Sequence, residues 1–253
     1  MVDYTIGVFS VGVNSLIKAD SVHDLRFANQ DALNFFQEIK SLFPVSTEAL
    51  LSDSLDADTL PLRSTILATL KRFVANLIKE GSAKAVLLFT GHGVQIEDDF
   101  VFCGRDFDPF IPGESGVRLA DIFRLLRPFS GEKLIILDCC RSHFDSVRQE
   151  FVNESLLPPF SVSASLNEVI IFSSRSGQTS VETGGLGSRY GGLFIHHLME
   201  ELRKRNGPHF CFGDSFQDIR QSVSEWASEH KISQAPCFFG SDLSDFVLKY
   251  LDG

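Results

Sequence analysis

The sequence predicts an α/β protein with a three-layer α/β/α architecture around a mostly parallel central sheet of about six strands. Short apolar runs such as 84–90 and 133–138 are typical of buried strands. Segments with helical apolar spacing lie between these runs, and this alternation favours a parallel sheet covered by helices on both faces. The composition shows no break along the chain, so we expect a single domain over residues 1–253.

The first part of the chain shows the alternation clearly. Residues 4–11 form the first predicted strand, and apolar spacing predicts an amphipathic helix over 25–42 that ends before Pro44. Residues 48–51 are expected to form a short edge strand. The aspartates at 56–58 offer a start for a second helix that continues to Gly81.

The rest of the chain continues the pattern. The predicted elements are a strand over 84–90, a polar hairpin near 95–105, a helix near 118–127, a strand over 133–138, a strand over 168–174, helices over 192–204 and 215–229, and a final strand over 236–239. Residues 142–167 lack firm periodicity, and we interpret them as a long surface loop with at most one helical turn.

Composition narrows the function classes. The formal net charge of −10 argues against binding to nucleic acid, because no basic stripe is available to displace counterions from phosphate. No apolar stretch approaches the roughly 20 residues of a membrane span, and the first residues do not resemble a signal peptide. The five cysteines include an adjacent pair that could form only a strained disulfide. We therefore interpret all five as reduced thiols. We therefore expect a cytoplasmic protein with no nucleic-acid or membrane partner.

Two predicted strands end in residues with reactive side chains. His92 follows the strand over 84–90, and Cys140 follows the strand over 133–138. Ligands of such sheets bind outside the carboxyl ends of the strands, where the two side chains would meet. A thiol paired with an imidazole can attack a carbonyl group, so this pattern predicts a cysteine hydrolase.

The glycines that flank His92 add to this prediction, because they let the backbone turn sharply and approach a substrate closely. The amides of Gly93 and Cys140 are candidate donors to the oxyanion that forms when the thiolate attacks.

Several further segments carry a resemblance to a known family. The order of elements and both strand ends are similar to the caspase-like cysteine peptidases of clan CD (peptidase C14), in particular metacaspases, paracaspases and bacterial caspase homologues. The matching segments are 24–32 at the first helix, Thr90-Gly91-His92-Gly93, Asp138-Cys139-Cys140, 173–182, 191–194 and Gln234-Ala235-Pro236. The resemblance implies a caspase-like fold, with a large-subunit-like part over about 1–150, a small-subunit-like part over about 165–253, and a loop between them.

The resemblance also implies roles for individual residues. Cys140 rather than Cys139 takes the position of the nucleophile, and His92 takes that of the general base and acid. Asp31, Asp138 and Thr90 match the polar positions of the S1 pocket in metacaspases. Two carboxylates in one pocket would bind the guanidinium or ammonium group of a P1 Arg or Lys.

Alternatives remain open for the two acids. Asp31 can instead complement the dipole at the start of the first helix, and Asp138 can cap the turn at its strand end. For the whole chain, one alternative to a peptidase is a catalytically weak or inactive interaction or regulatory module with the same fold. Another is a different cysteine transferase or esterase built on an α/β sheet.

The expected partners are a protein or peptide substrate with a basic P1 residue and an upstream activator or regulatory partner. We expect no cofactor and no metal site. Calcium activates many metacaspases, and acids at 97–99, 106 and 108 offer carboxylates, but they lack the spacing of an EF-hand.

Overall fold

The computed structural model describes residues 4–19, 22–54, 59–96, 99–145, 150–152, 167–183, 191–240 and 242–251. The helices are α1 (Ala28–Leu42), α2 (Arg63–Glu80), α3 (Pro112–Ser115), α4 (Leu119–Leu126), α5 (Leu193–Lys204) and α6 (Phe212–Glu229). The strands are β1 (Ile6–Gly12), β2 (Val45–Ser52), β3 (Lys84–Gly91), β4 (Gly93–Ile96), β5 (Asp99–Phe102), β6 (Val117–Arg118), β7 (Glu132–Cys139), β8 (Ser142–Asp145), β9 (Glu150–Val152), β10 (Glu168–Phe172), β11 (His209–Cys211), β12 (Cys237–Gly240) and β13 (Val247–Lys249).

The centre of the fold is a six-stranded sheet in the order β12-β10-β7-β3-β1-β2. Its pairs are parallel except for β12, which runs antiparallel to β10 at one edge. The predicted edge strand near 48–51 is present as β2 at the other edge. This arrangement confirms the predicted three-layer α/β/α class.

Helices cover both faces of the sheet, and the side chains of each strand alternate between the two helix layers. On β3, Leu88 packs with α1, α5 and α6, whereas Leu87 packs with α2 and α4. On β7, Ile136 faces the first layer and Cys139 the second. The same alternation sets the orientation of the polar residues at the strand ends.

A second, smaller sheet extends the structure beside the strand ends, in the order β6-β5-β4-β8-β9. The predicted hairpin near 95–105 is formed by β4 and β5, and it is less polar than expected, since Val94 and Phe102 are fully buried.

The interpretation of 142–167 as a loop is wrong for part of that range. The strand β8 begins two residues after Cys140 and pairs in parallel with the edge of β4, and it also pairs antiparallel with β9. The rest of that segment, 146–149 and 153–166, lies outside the described residues.

Two helices begin later than predicted, and distant carboxylates cap both. Asp106 accepts a hydrogen bond from the Arg63 amide at 2.7 Å, which fixes the start of α2 well after the proposed start at 56–58; those residues lie outside the described ranges. Glu182 accepts hydrogen bonds from the amides of Arg26 and Phe27 in front of α1. Within the residues that the structure describes, no helix is both long enough and apolar enough to cross a membrane.

Candidate active site

The ends of β3 and β7 place the two predicted reactive residues at neighbouring strand ends, although Cys140 lines the cleft described below and His92 is not among its lining residues. The strands pair in parallel with Gly91 opposite Cys139, so His92 and Cys140 leave the sheet at the same level on adjacent strands. Because both positions lie at the carboxyl end of the sheet, they face the region where this fold class binds ligands.

Glycines allow the turn around His92. Gly91 has a φ of +150°, in a region that side chains rarely adopt, and a Cβ there would lie 3.0 Å from the carbonyl of Val13. A Cβ at Gly93 would lie 2.6 Å from the Phe100 ring and 2.9 Å from the Cβ of Cys139. Gly93 therefore lies against the backbone that carries the two cysteines.

The two adjacent cysteines have different surroundings. Cys139 is fully buried, and its thiol lies 3.5 Å from the carbonyl of Phe89. Cys140 is partly exposed, lines the cleft at the strand ends, and directs its thiol to the carbonyl of Ser180 at 3.8 Å. Only the second cysteine is thus placed to meet a substrate in this cleft.

The charge state of the pair follows from its burial. Burial lowers the pKa of His92 to about 4, although the Asp24 carboxylate and a hydrogen bond to the His23 backbone act in the opposite direction. Burial also raises the pKa of the Cys140 thiol, and the neighbouring Asp138 and Glu182 carboxylates add to this effect. At neutral pH the resting pair is therefore a thiol and a neutral imidazole.

Two buried carboxylates line the same cleft. By strand alternation, Asp138 points to the face of the sheet covered by α1 and α5, where Asp31 lies in the first turn of α1. Asp31 accepts hydrogen bonds from the amides of Gly191 and Gly192 at 2.9 and 2.7 Å. Asp138 accepts one from the Ser180 hydroxyl at 2.5 Å.

Gly192 separates the two carboxylates. A Cβ at this position would lie 2.7 Å from Oδ2 of Asp138 and 3.1 Å from Oδ2 of Asp31. Thr90, which pairs with Asp138 across β3 and β7, also lines the cleft. The structure therefore groups all three predicted S1 residues in one small cleft that also includes Cys140.

Both carboxylates are difficult to ionise. Burial is the main cause that raises the pKa of Asp31 to about 7, nearby Asp138 and Glu182 act in the same direction, and the two amide donors oppose them. Burial likewise raises the pKa of Asp138, against the stabilising hydrogen bond from Ser180. A cation between them would reverse this effect, because opposite charge favours the ionised form.

A third carboxylate in the cleft, that of Glu182, was not predicted as a site residue. It lines the cleft while it caps the start of α1 through the amides of Arg26 and Phe27. Glu182 ends the 173–182 segment that carries part of the family resemblance, but its position next to Asp31 depends on contacts between distant parts of the chain.

The loop that carries Ser180 and Glu182 is held by two buried or half-buried amide side chains. Gln234 accepts from the Val181 amide at 3.0 Å and donates to the Ser173 carbonyl at 3.1 Å. Gln178 accepts from the Ala235 amide at 2.9 Å. The matching Gln234-Ala235-Pro236 segment thus contacts the cleft wall directly.

The chain that follows Cys140 is held by the backbone and side chain of Arg141. The Arg141 amide donates to the Gln178 carbonyl at 3.1 Å, and the Arg141 carbonyl accepts from the Gly177 amide at 3.1 Å. The buried guanidinium of Arg141 lies 4.3 Å from the centroid of the Phe172 ring. These contacts hold the backbone of Cys140 from its C-terminal side.

The acids considered for calcium have other partners where the structure describes them. Asp99 pairs with Arg118 at 2.7 Å, Asp106 caps α2, and Asp108 lies 3.5 Å from Lys18. Glu97 and Asp98 lie outside the described residues.

A parallel sheet with a histidine and a cysteine at adjacent strand ends is the arrangement that the resemblance to clan CD cysteine peptidases implies. The family model of the caspase domain, Peptidase_C14, matches residues 17–248, so the chain belongs to the caspase domain family. A comparison with curated proteins finds no match.

Proposed function

We propose that the chain is a cysteine endopeptidase that cleaves protein or peptide substrates after Arg or Lys. The observation that carries this proposal is the pair of buried carboxylates, Asp31 and Asp138, on either side of Gly192 in the cleft that Cys140 lines. A P1 guanidinium in this cleft would form charge-assisted hydrogen bonds with both carboxylates.

In the proposed reaction, the neutral imidazole of His92 accepts the thiol proton of Cys140 as the sulfur attacks the carbonyl carbon of the scissile bond. The C–O π electrons move to the oxygen, and the amides of Gly93 and Cys140 would donate to the resulting oxyanion. The imidazolium then gives its proton to the leaving amine as the C–N bond breaks. Water, activated by the same imidazole, hydrolyses the thioester and restores the thiol.

The low pKa of His92 fits its role as a base that starts neutral. The backbone contact with His23 and the nearby Asp24 carboxylate favour the protonated imidazole. The His23 backbone and the Asp24 carboxylate therefore stabilise the imidazolium that forms after proton transfer. They take the part of the third group that orients the base in a cysteine–histidine pair.

The acidic cleft supports a preference against P1 Asp. A substrate carboxylate would lie beside Asp31, Asp138 and Glu182 in a partly desolvated pocket, where it meets no cation and is repelled by each acid that is ionised. The reaction as proposed needs no cofactor. We also propose a cytoplasmic location, since all five cysteines are free thiols, as is usual in a reducing compartment, and a regulatory partner or calcium as the activating signal.

The test is hydrolysis of matched fluorogenic peptides that differ only in P1 (Arg, Lys, Asp or Ala), each with calcium or with a chelator. We expect turnover of the Arg and Lys peptides alone, and none by a Cys140→Ala variant. Turnover of the Asp peptide would contradict the proposed specificity, and equal rates in calcium and in chelator would exclude calcium as the activator.

One observation favours the alternative of a weakly active interaction module. The Cys140 thiol is protonated in the resting state and directed to the Ser180 carbonyl. In that case the P1 Arg peptide would bind to the wild-type chain without being hydrolysed, and the binding would still depend on Asp31 and Asp138.

A further inference from the structure

Three potential metal ligands lie together on α5, outside the cleft. They are His196, His197 and Glu200, and their nearest ligand atoms all lie within 4.8 Å of one another. Glu200 is one helical turn beyond the two histidines, so its carboxylate can reach both imidazoles from the same face of the helix.

The distances fit the coordination shell of a small divalent metal. His196 Nε2 lies 3.4 Å from one carboxylate oxygen of Glu200, and His197 Nδ1 lies 3.2 Å from the other. In a tetrahedral site with bonds of about 2.0–2.1 Å, neighbouring ligand atoms are about 3.3–3.4 Å apart. Each imidazole therefore already lies at this spacing from one oxygen of the Glu200 carboxylate, and all three ligand atoms lie within 4.8 Å of one another.

The donor set selects the class of metal. Two imidazoles and one carboxylate suit zinc and similar first-row ions, whereas calcium and magnesium prefer oxygen ligands alone. Metal binding requires neutral imidazoles, which the test at neutral pH provides for.

The two histidines are mostly buried, with side chains 15 and 19% exposed, while that of Glu200 is 51% exposed. A bound ion would be reached by solvent from the carboxylate side, where a water molecule can complete a four-coordinate shell.

We propose that His196, His197 and Glu200 form a binding site for Zn²⁺ or a similar first-row divalent metal ion on α5. This site is separate from the peptidase chemistry, and it does not depend on that function. It lies one turn from the start of the helix, because the His196 amide donates to the carbonyl of Gly192. An ion there would tie together the first two turns of the helix that starts beside the cleft.

The test uses Co²⁺ and Zn²⁺ added to the full chain at neutral pH in a Cys140→Ala background, which removes a competing thiol. We expect one equivalent of Co²⁺ to give visible absorption bands typical of four-coordination, without a thiolate charge-transfer band. Zn²⁺ should displace the Co²⁺ and raise the melting temperature, because the ion binds only the folded chain.

The double substitution His196→Ala with His197→Ala should weaken Zn²⁺ binding by about 100-fold or more, since each ligand lost typically costs at least tenfold. His209→Ala, which removes an exposed histidine on β11, is the matched control and should bind as before. If the double variant does not fold, Zn²⁺ binding by Glu200→Gln is measured instead. This variant should bind Zn²⁺ about tenfold more weakly or more weakly still.

Binding that is unchanged in these variants, or cobalt spectra with thiolate bands, would overturn the proposal and place the metal at the remaining cysteines. Failure of the Zn²⁺ test would leave the peptidase proposal unaffected, because the peptide assay contains no added zinc.

Discussion

Asp31 and Asp138 come from a helix and a strand that are far apart in the chain, yet their carboxylates lie on either side of one backbone position. A Cβ at Gly192 would lie 3.1 Å from Asp31 and 2.7 Å from Asp138. The absence of a side chain at Gly192 thus leaves space beside the two buried acids, and the proposed function assigns this space to the P1 cation.

The first prediction uses this close approach. Gly192→Ala should raise KM for P1 Arg peptides by about tenfold or more, since its methyl group occupies the space that the guanidinium needs and weakens binding by more than about 1.4 kcal/mol. The φ of −74° at Gly192 is available to alanine, so the backbone is not strained, and the Asp138 carboxylate has to shift away from the new methyl group. Gly113→Ala is the matched control, because nothing lies within 4 Å of a Cβ at that position. An unchanged KM in Gly192→Ala would place the P1 side chain elsewhere.

The second prediction concerns the charges of the cleft. Asp31→Asn and Asp138→Asn should each lower kcat/KM for P1 Arg peptides. The loss should correspond to about 1.5–3 kcal/mol of transition-state stabilisation, the usual contribution of a hydrogen bond to a charged group. The control is Glu80→Gln, which removes one negative charge from the exposed end of α2 and should leave kcat/KM unaltered. Equal losses in all three variants would indicate a general effect of net charge.

The third prediction is a pH dependence. The pKa of Asp31 is about 7 in the free chain, so this group is protonated below that pH and negatively charged above it. Because a P1 cation binds the charged form, kcat/KM for P1 Arg should rise with pH between about 6 and 8. The pKa of the Cys140 thiol is raised above its usual range, so its ionisation changes kcat/KM in a separate part of the pH profile, at higher pH. In Asp31→Asn the limb near neutral pH should disappear; its persistence would assign the titration to another group.

The fourth prediction concerns the wall of the cleft. Gln234→Ala removes two buried hydrogen bonds, to Val181 and Ser173, and should lower the free energy of unfolding by about 1–3 kcal/mol and reduce kcat/KM. Gln221→Ala on the exposed face of α6 is the control, and denaturant unfolding measured beside peptide hydrolysis would show both effects. If Gln234→Ala were destabilised but fully active, Gln234 would stabilise the fold without supporting the function of the cleft.

The strand ends could be predicted from the sequence because they depend on local pattern. The apolar runs before His92 and Cys140 define parallel strands, and parallel register then places the two residues side by side. Strand alternation also predicts that Cys139 and Cys140 have different environments, which the burial of Cys139 reflects.

Other features depend on contacts that no local pattern encodes. The starts of α1 and α2 have no capping side chain of their own, and Glu182 and Asp106 supply their acceptors from distant segments. The role of Glu182 in the cleft follows from the same long-range contact. The strand β8 forms because β4 offers an edge, so the short segment after Arg141 shows no periodicity that predicts it.

The central claim is that Cys140 acts as the nucleophile of a peptidase that cleaves after basic residues. Its most direct test is hydrolysis of a P1 Arg peptide by the wild-type chain, Cys140→Ala and Cys139→Ala, measured side by side with unfolding by denaturant. We predict that Cys140→Ala has no activity and near wild-type stability. Cys139→Ala should keep most of its activity and lose about 1–2 kcal/mol of stability, because it removes a buried sulfur. Activity that survives in Cys140→Ala, or disappears only in Cys139→Ala, would contradict the account.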